Sequence, residues 1–186
     1  MKRTFDIALS LSMLVFLSLP ILLLAVMIKL TSSGPAFYKD HRIGRHNCAF
    51  KMLKFRSMVN TTPQKATHLL ENPQQWITPL GKFLRGTSLD EIPQLWNILK
   101  GDMSFVGPRP ALFNQADLIS LRTMKNIQSL RPGLTGLAQI NGRDDLTIEE
   151  KVLYDEEYLE NISFSMDLKI LFRTVFFVLS RKSVSH

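Results

Sequence analysis

The chain divides by hydropathy into one unbroken apolar stretch and a long mixed remainder. From Ile7 to Ile28, 22 residues carry no charge, enough to cross the hydrocarbon core of a bilayer as a helix. Apolar residues occupy every face, which suits membrane insertion better than burial in a soluble core. The stretch is longer than the apolar region of a signal peptide and lacks a small-residue cleavage pattern. Asp6 and Lys29 bracket it, with Lys2 and Arg3 before and Lys39, Arg42 and Arg45 beyond. Both flanks are therefore basic, and a hairpin-like segment with both ends on the cytoplasmic side satisfies the positive-inside rule twice. Pro20 removes the hydrogen bond to the Phe16 carbonyl and bends the helix, and Ser18 is placed to satisfy a freed carbonyl. These features favour a re-entrant helix over residues 1–30; a kinked span is the alternative they also allow.

After Leu30 the run Thr31-Ser32-Ser33-Gly34-Pro35 marks a loop. Two short β-prone pieces follow, Ala36–Lys39 and Ala49–Phe55, separated by a basic turn from His41 to Arg45. Val59 to Pro79 is rich in Thr, Asn, Gln and Pro and reads as a mobile excursion, a candidate lid with Trp76 as its anchor. Its His68 has no second ligand at metal-binding spacing and reads as a surface residue. A helix closing at Gly101 follows Asp90 and Glu91, with Pro93 in its first turn and Asp90 near its N-cap. A further helix is expected from about Ala111 to Leu130. The stretch Leu134–Arg143 reads as an extended piece ending in an Asn-Gly turn. Thr147-Ile148-Glu149-Glu150 is a capping box opening a helix to about Glu160. A last helix, roughly Met166 to Ser180, gathers Leu168, Leu171, Phe172, Val175, Phe176 and Leu179 with Lys169 and Arg173. It is too short to span, and it fits an interfacial helix with snorkelling cations or ordinary packing against the domain.

Length allows one domain's core, and the single cysteine, Cys48, excludes an internal disulfide. The net charge of +7 points to an anionic partner such as a phospholipid head group, a phosphorylated substrate or nucleic acid. The chemistry concentrates in Ser88–Pro110. A carboxylate at a helix N-cap stays ionised beside the positive end of the dipole, and Asp90 and Glu91 stand among Arg85, Lys100 and Arg109. Two carboxylates among fixed cations suit a metal-bound diphosphate better than a neutral substrate. Arg109 lies in Gly107-Pro108-Arg109-Pro110, a stiff run able to hold one guanidinium still. Lys54 and Arg56 face a phosphate or solvent, and Arg131 and Arg143 are turn cations suited to phosphate or base contacts.

Lys54–Met58 (KFRSM), Arg85–Pro110, Arg131–Arg143 (RPGLTGLAQINGR) and Asp167–Ile170 (DLKI) resemble the bacterial sugar transferases, the monotopic phosphoglycosyl transferases, over nearly the whole chain. The similarity is to the small, minimal-domain members. It implies an α+β, mostly helical membrane-associated domain with an amino-terminal re-entrant membrane helix, short β pieces and amphipathic interfacial helices. Residues 31–186 would form the catalytic domain on the cytoplasmic face of the bacterial inner membrane. The implied reaction moves a sugar 1-phosphate from a UDP-sugar to undecaprenyl phosphate and releases UMP. By that resemblance Asp90 is the nucleophile, Glu91 binds Mg²⁺, and Lys54, Arg85 and Arg109 hold the diphosphate. Arg131, Arg143 and Asp167 match further motif positions without individual roles. Here the membrane break reads Ser18-Leu19-Pro20, one residue wider than the family's Ser-Pro, and Leu137 stands where many relatives have Trp.

The chemistry is coherent on its own terms, because attack by Asp90 on a diphosphate yields an acyl phosphate that keeps its transfer potential. Two other classes share some of these features. A membrane-anchored binding module predicts no metal requirement and no UMP release, and a Mg²⁺-dependent phosphoester hydrolase needs no lipid acceptor. No nucleic acid partner is expected, since the cations are not interleaved with exposed aromatics. The sugar is not legible, and a homo-oligomer stays open.

Overall fold

The uncharged amino-terminal stretch folds as two helices, α1 (Lys2–Phe16) and α2 (Ser18–Thr31), bent by 61° about Leu17. The chain is seen here in a computed structural model that describes residues 1–62, 72–142 and 145–180. Among the described residues no single helix is long and apolar enough to cross a membrane, whereas the bent pair together has the length and composition. Pro20 falls in the first turn of α2, where a missing N–H is tolerated, and not in mid-helix. The Ser18 hydroxyl donates to the Val15 carbonyl at 2.8 Å, one residue before the carbonyl expected from the sequence. Leu11, Val15, Phe16, Leu19, Leu22 and Leu23 stand exposed around the bend.

The other face of α1 is bound to the rest of the molecule. Asp6, which in the sequence only ends the apolar run, is buried and accepts from the Ser104 hydroxyl at 2.9 Å and the Phe105 N–H at 3.2 Å. Lys2 pairs with the buried Asp167 at 2.6 Å. A buried charge is tolerated only when paired or hydrogen-bonded, so these contacts fix how the apolar helices leave the domain.

The domain is α+β. Strands β1 (Phe37–Ile43) and β2 (Ala49–Phe55) form an antiparallel hairpin. The first strand is longer than the sequence suggests: His41, Arg42 and Ile43 continue the ladder, and the turn is confined to Gly44–Cys48 with His46 and Asn47 at positive φ. The short β4 (Ala111–Leu112) pairs with β1, giving the order β2-β1-β4. A separate parallel pair joins β3 (Ser104–Val106) to β5 (Gly133–Thr135). Met58 bridges Ile77 and closes the base of the Val59–Pro79 excursion. Residues 63–71 of that excursion, with His68, lie outside the described residues.

Helix α3 (Pro79–Gly86) opens with Thr78 accepting from the Gly81 N–H. Helix α4 (Gln94–Lys100) ends in Gly101 at φ +102°, a left-handed cap suited to glycine. Leu95 and Ile98 of α4 join Met103, Phe105, Tyr158 and Ile170 in the central core, against which Leu9, Met13 and Leu17 pack. The expected helix from Ala111 to Leu130 is instead β4, then α5 (Ala116–Met124), then a 3-10 turn at Ile127–Ser129. The Gln115 side chain accepts from the Leu112 N–H, and Asn126 at positive φ ends the helical run. After β5, α6 (Leu137–Ile140) occupies most of the expected extended piece. Helix α7 (Ile148–Glu160) has both bonds of the capping box at Thr147 and Glu150. Helix α8 (Phe164–Ser180) leaves Leu168, Phe172, Val175 and Phe176 exposed.

Asp6→Ala removes the acceptor of two buried donors, and each donor left unsatisfied costs about 1–3 kcal/mol. The variant should melt roughly 5 °C or more below wild type in detergent; an unchanged melting temperature would refute the anchoring role of Asp6.

Candidate active site

Asp90 and Glu91 lie in a 3-10 turn, Leu89–Glu91, entered through Ser88 at φ +56°. The expected cap position is corrected here: Asp90 precedes α4 by four residues and Ser88 caps the turn. Burial therefore outweighs any dipole. Asp90 is 9% exposed, and desolvation raises its carboxyl above the usual carboxylate range, with the Glu91 charge adding to the rise. Lys54, Arg85 and its own backbone N–H pull the other way without cancelling it.

Glu91 is held by Lys54, whose Nζ donates to Oε1 at 3.1 Å. Lys54 comes from β2, where alternate residues share a face. On the partner strand Asp40 lies opposite Met52 and Arg42 opposite Phe50, so Arg42 projects from the same face as Lys54. A cleft of about 210 Å³ is walled by Arg42, Glu91, Gln94, Arg109, Pro110 and Gly133, among others. A larger hollow of about 350 Å³ shares Arg109 and Pro110 but not Glu91, and Asp90 lines neither of the two. Among the described residues the Arg109 guanidinium has no hydrogen-bond partner, so its donors are available to an anion.

The structure thus gathers Lys54, Arg85, Asp90, Glu91 and Arg109, and it adds Arg42 and Gln94. Gln94 is buried in the first turn of α4. Arg42 was hidden in the sequence because its residues read as a turn; extending β1 by period-two alternation would have placed it beside Lys54.

Three other candidates have structural work to do. Arg56, proposed to face a phosphate or solvent, is buried and donates to the carbonyls of Ile28, Ser32 and Ser33 and to the Ser32 hydroxyl, closing the end of α2. Arg131 donates to the Gly101 carbonyl at 3.0 Å, at the end of α4 away from the carboxylates. Asp167 accepts from the Tyr158 hydroxyl and from Lys2, both at 2.6 Å. Arg143 lies outside the described residues.

Two carboxylates do not make a metal cage, and among the described residues no group of three or more His, Cys, Asp or Glu side chains is disposed to hold an ion. The pair does fit Mg²⁺, which takes one or two carboxylates and fills its remaining positions with water and substrate phosphate.

The site is thus a carboxylate pair among cations, on an α+β domain fastened to a bent pair of apolar helices. The chain belongs to the bacterial sugar transferase family, whose family model matches residues 1–181. It is 40% identical to the undecaprenyl-phosphate galactose phosphotransferase of Salmonella typhimurium over 97% of this chain and 41% of that protein. It is likewise 40% identical to the exopolysaccharide production protein ExoY of Rhizobium meliloti, over 94% of this chain and 83% of that one. The UDP-glucose:undecaprenyl-phosphate glucose-1-phosphate transferase of Klebsiella pneumoniae is 40% identical over 94% of this chain and 39% of its own length. The chain therefore spans about two fifths of the Salmonella and Klebsiella proteins and most of ExoY.

The raised carboxyl of Asp90 has a sign opposite to that of a salt-bridged aspartate. Between the unfolded value near 3.8 and its higher folded value, the native state binds the proton more tightly, so stability falls as pH rises through that window. Asp90→Asn should accordingly raise the melting temperature at neutral pH, with the gain shrinking as pH is lowered toward 4. A variant less stable than wild type at neutral pH would contradict the burial argument.

Proposed function

We propose that this chain transfers a sugar 1-phosphate from a UDP-sugar to undecaprenyl phosphate, releasing UMP. The observation that supports this reading best is the buried carboxyl of Asp90 beside Glu91, Lys54 and Arg85, with Arg42 and Arg109 lining the cleft that Glu91 walls. The names of the Salmonella and Klebsiella relatives point to the same reaction.

In the first step an Asp90 oxygen attacks the phosphorus bonded to the sugar oxygen, the bond from that phosphorus to the bridging oxygen breaks, and UMP leaves with that oxygen. In the second, an oxygen of the lipid phosphate attacks the same phosphorus, the bond to Asp90 breaks, and a diphosphate is re-formed. No external energy source is needed, because a diphosphate is exchanged for a diphosphate through an acyl phosphate. Burial makes Asp90 a better nucleophile once ionised, and Lys54 and Arg85 favour the ionised form against that burial. Arg109 and Arg42 offset the repulsion between an anionic nucleophile and an anionic donor, which for unit charges at about 4 Å amounts to several kcal/mol at intermediate dielectric. Glu91, with Asp90 beside it, would hold Mg²⁺, which when bound neutralises diphosphate charge.

The bent pair α1–α2 is read as re-entrant, with Lys2 and Thr31 on the same, cytoplasmic side of the bacterial inner membrane. Such a monotopic arrangement sets the site at the head-group plane, within reach of a lipid phosphate and a soluble nucleotide.

The deciding experiment is UMP release by detergent-solubilised protein with UDP-glucose, UDP-galactose and N-acetylated UDP-hexosamines, with Mg²⁺ and undecaprenyl phosphate. Release from one donor should depend on the lipid, stop with EDTA, and fall by at least about a thousandfold in Asp90→Asn. Release without lipid, yielding free sugar phosphate, would make the protein a hydrolase. Retained turnover in Asp90→Asn would remove Asp90 as nucleophile.

Single cysteines at Thr4 and Thr31, in a Cys48→Ser background, should both react with an impermeant maleimide in inverted membrane vesicles and neither in right-side-out spheroplasts. Opposite accessibility of the two would mean a span.

A further inference from the structure

The Gly107-Pro108-Arg109-Pro110 run is the segment of the site least able to hold itself in place. Proline has no N–H, so in Pro108-Arg109-Pro110 only Arg109 has one to donate, and the segment must be held through its carbonyls. Each of the three has a donor. The Gly133 N–H reaches the Pro108 carbonyl at 2.8 Å, Arg122 Nη1 reaches the Arg109 carbonyl at 2.8 Å, and Arg42 Nη1 lies 3.4 Å from the Pro110 carbonyl. The middle contact bears directly on the residue whose guanidinium faces the cleft.

Arg122 is itself immobilised. It is buried on α5, and its Nε and Nη2 both donate to Oδ2 of Asp155 on α7, at 2.9 and 2.6 Å. Asp155 is only 2% exposed. The fork thus binds a buried carboxylate on one side and turns its remaining donor to the Arg109 backbone on the other. Lysine, a point charge on a flexible stem, cannot satisfy both at once. Arg122 does not line the cleft with Glu91; it lines the larger hollow on the other side of Arg109.

We propose that Arg122, anchored by Asp155, is a positioning residue that aims the Arg109 guanidinium at the donor diphosphate by holding the Arg109 carbonyl. The inference rests on the reading of Arg109 as a diphosphate contact. Its test is a double-mutant cycle on UDP affinity, measured by calorimetry with Mg²⁺ on the full chain in detergent. Arg122→Lys keeps a cation beside Asp155 and should weaken UDP binding about tenfold, as expected for a displaced binding group. Arg109→Ala should also weaken it. In the Arg109→Ala background, Arg122→Lys should then change affinity less than twofold, because the group it positions is gone.

A merely structural Arg122 would give additive losses, which would overturn the proposal while leaving Arg109 as a contact. Unchanged affinity in Arg122→Lys alone would overturn it as well. Wild-type protein that does not bind UDP, or binding indifferent to Arg109→Ala, would overturn the underlying reading and this inference with it. Should Arg122→Lys fail to fold, Asp155→Asn, which loosens the anchor and keeps the guanidinium, enters the same cycle with the same expected non-additivity.

Discussion

The structure depends on the way helix α4 is closed at its far end. A helix of seven residues has too few internal hydrogen bonds to be rigid alone, and its last carbonyls need outside donors. Arg3 of α1 supplies two, to Ile98 at 2.6 Å and Leu99 at 2.8 Å, and Arg131 supplies one to Gly101 at 3.0 Å. Cations at a helix C-terminus also complement its dipole. Midway along, the Asn97 side chain acts as a short strand, accepting from the Leu53 N–H and donating to the Lys51 carbonyl at the outer edge of β2. Thus α4 is tied to α1 at one end and to the sheet along its side. The turn that carries Asp90 and Glu91 enters this strut directly, so the carboxylates, the Lys54 face of β2 and the amino-terminal helix form one body.

A second regularity concerns charge. Two cations of the site are held by acids other than Asp90, Lys54 by Glu91 and Arg42 by Asp40 at 2.6 Å, and behind the site Arg122 is held by Asp155. Asp90 is the exception, a carboxylate whose surroundings disfavour its charge. Leaving a carboxylate undersolvated costs stability, and the surrounding structure must tolerate that cost, as is common where activity and stability compete.

What the sequence made legible were features whose physics is local. The capping box at Thr147, the left-handed glycine at 101, the bounds of β2 and the break in the apolar segment all depend on a few adjacent residues, and all appear in the structure. The unread features are long-range. Nothing near Asp6 in sequence announces that Ser104 and Phe105 will donate to it, nor do the neighbours of Arg56 reveal that the end of α2 will come to it. Arg56 and Arg131 were read as possible phosphate contacts because charge and motif position do not distinguish a cation facing an anion from one capping a carbonyl, and Asp167 matched a motif position that carried no role. The Ala111–Leu130 stretch misled for a related reason, since helical periodicity was present but the Gln115 side chain and Asn126 interrupt it at both ends.

The same long-range contacts constrain how a membrane-bound version of this fold can work. Because Lys2, Arg3 and Asp6 are bound to the domain within the first two turns of α1, the exposed apolar surface of the bend, from Leu11 to Leu23, cannot swing relative to the carboxylates without breaking buried polar contacts. On the proposed reading, burial of that surface in a bilayer would set the height of Asp90 above the lipid. A soluble nucleotide can approach a site at any height; a phosphate on a long isoprenoid can approach only one near the head groups. The polar clamp at the start of α1 is thus the element that converts membrane insertion into substrate geometry on the proposed reading, and it does so with residues that never touch the substrate.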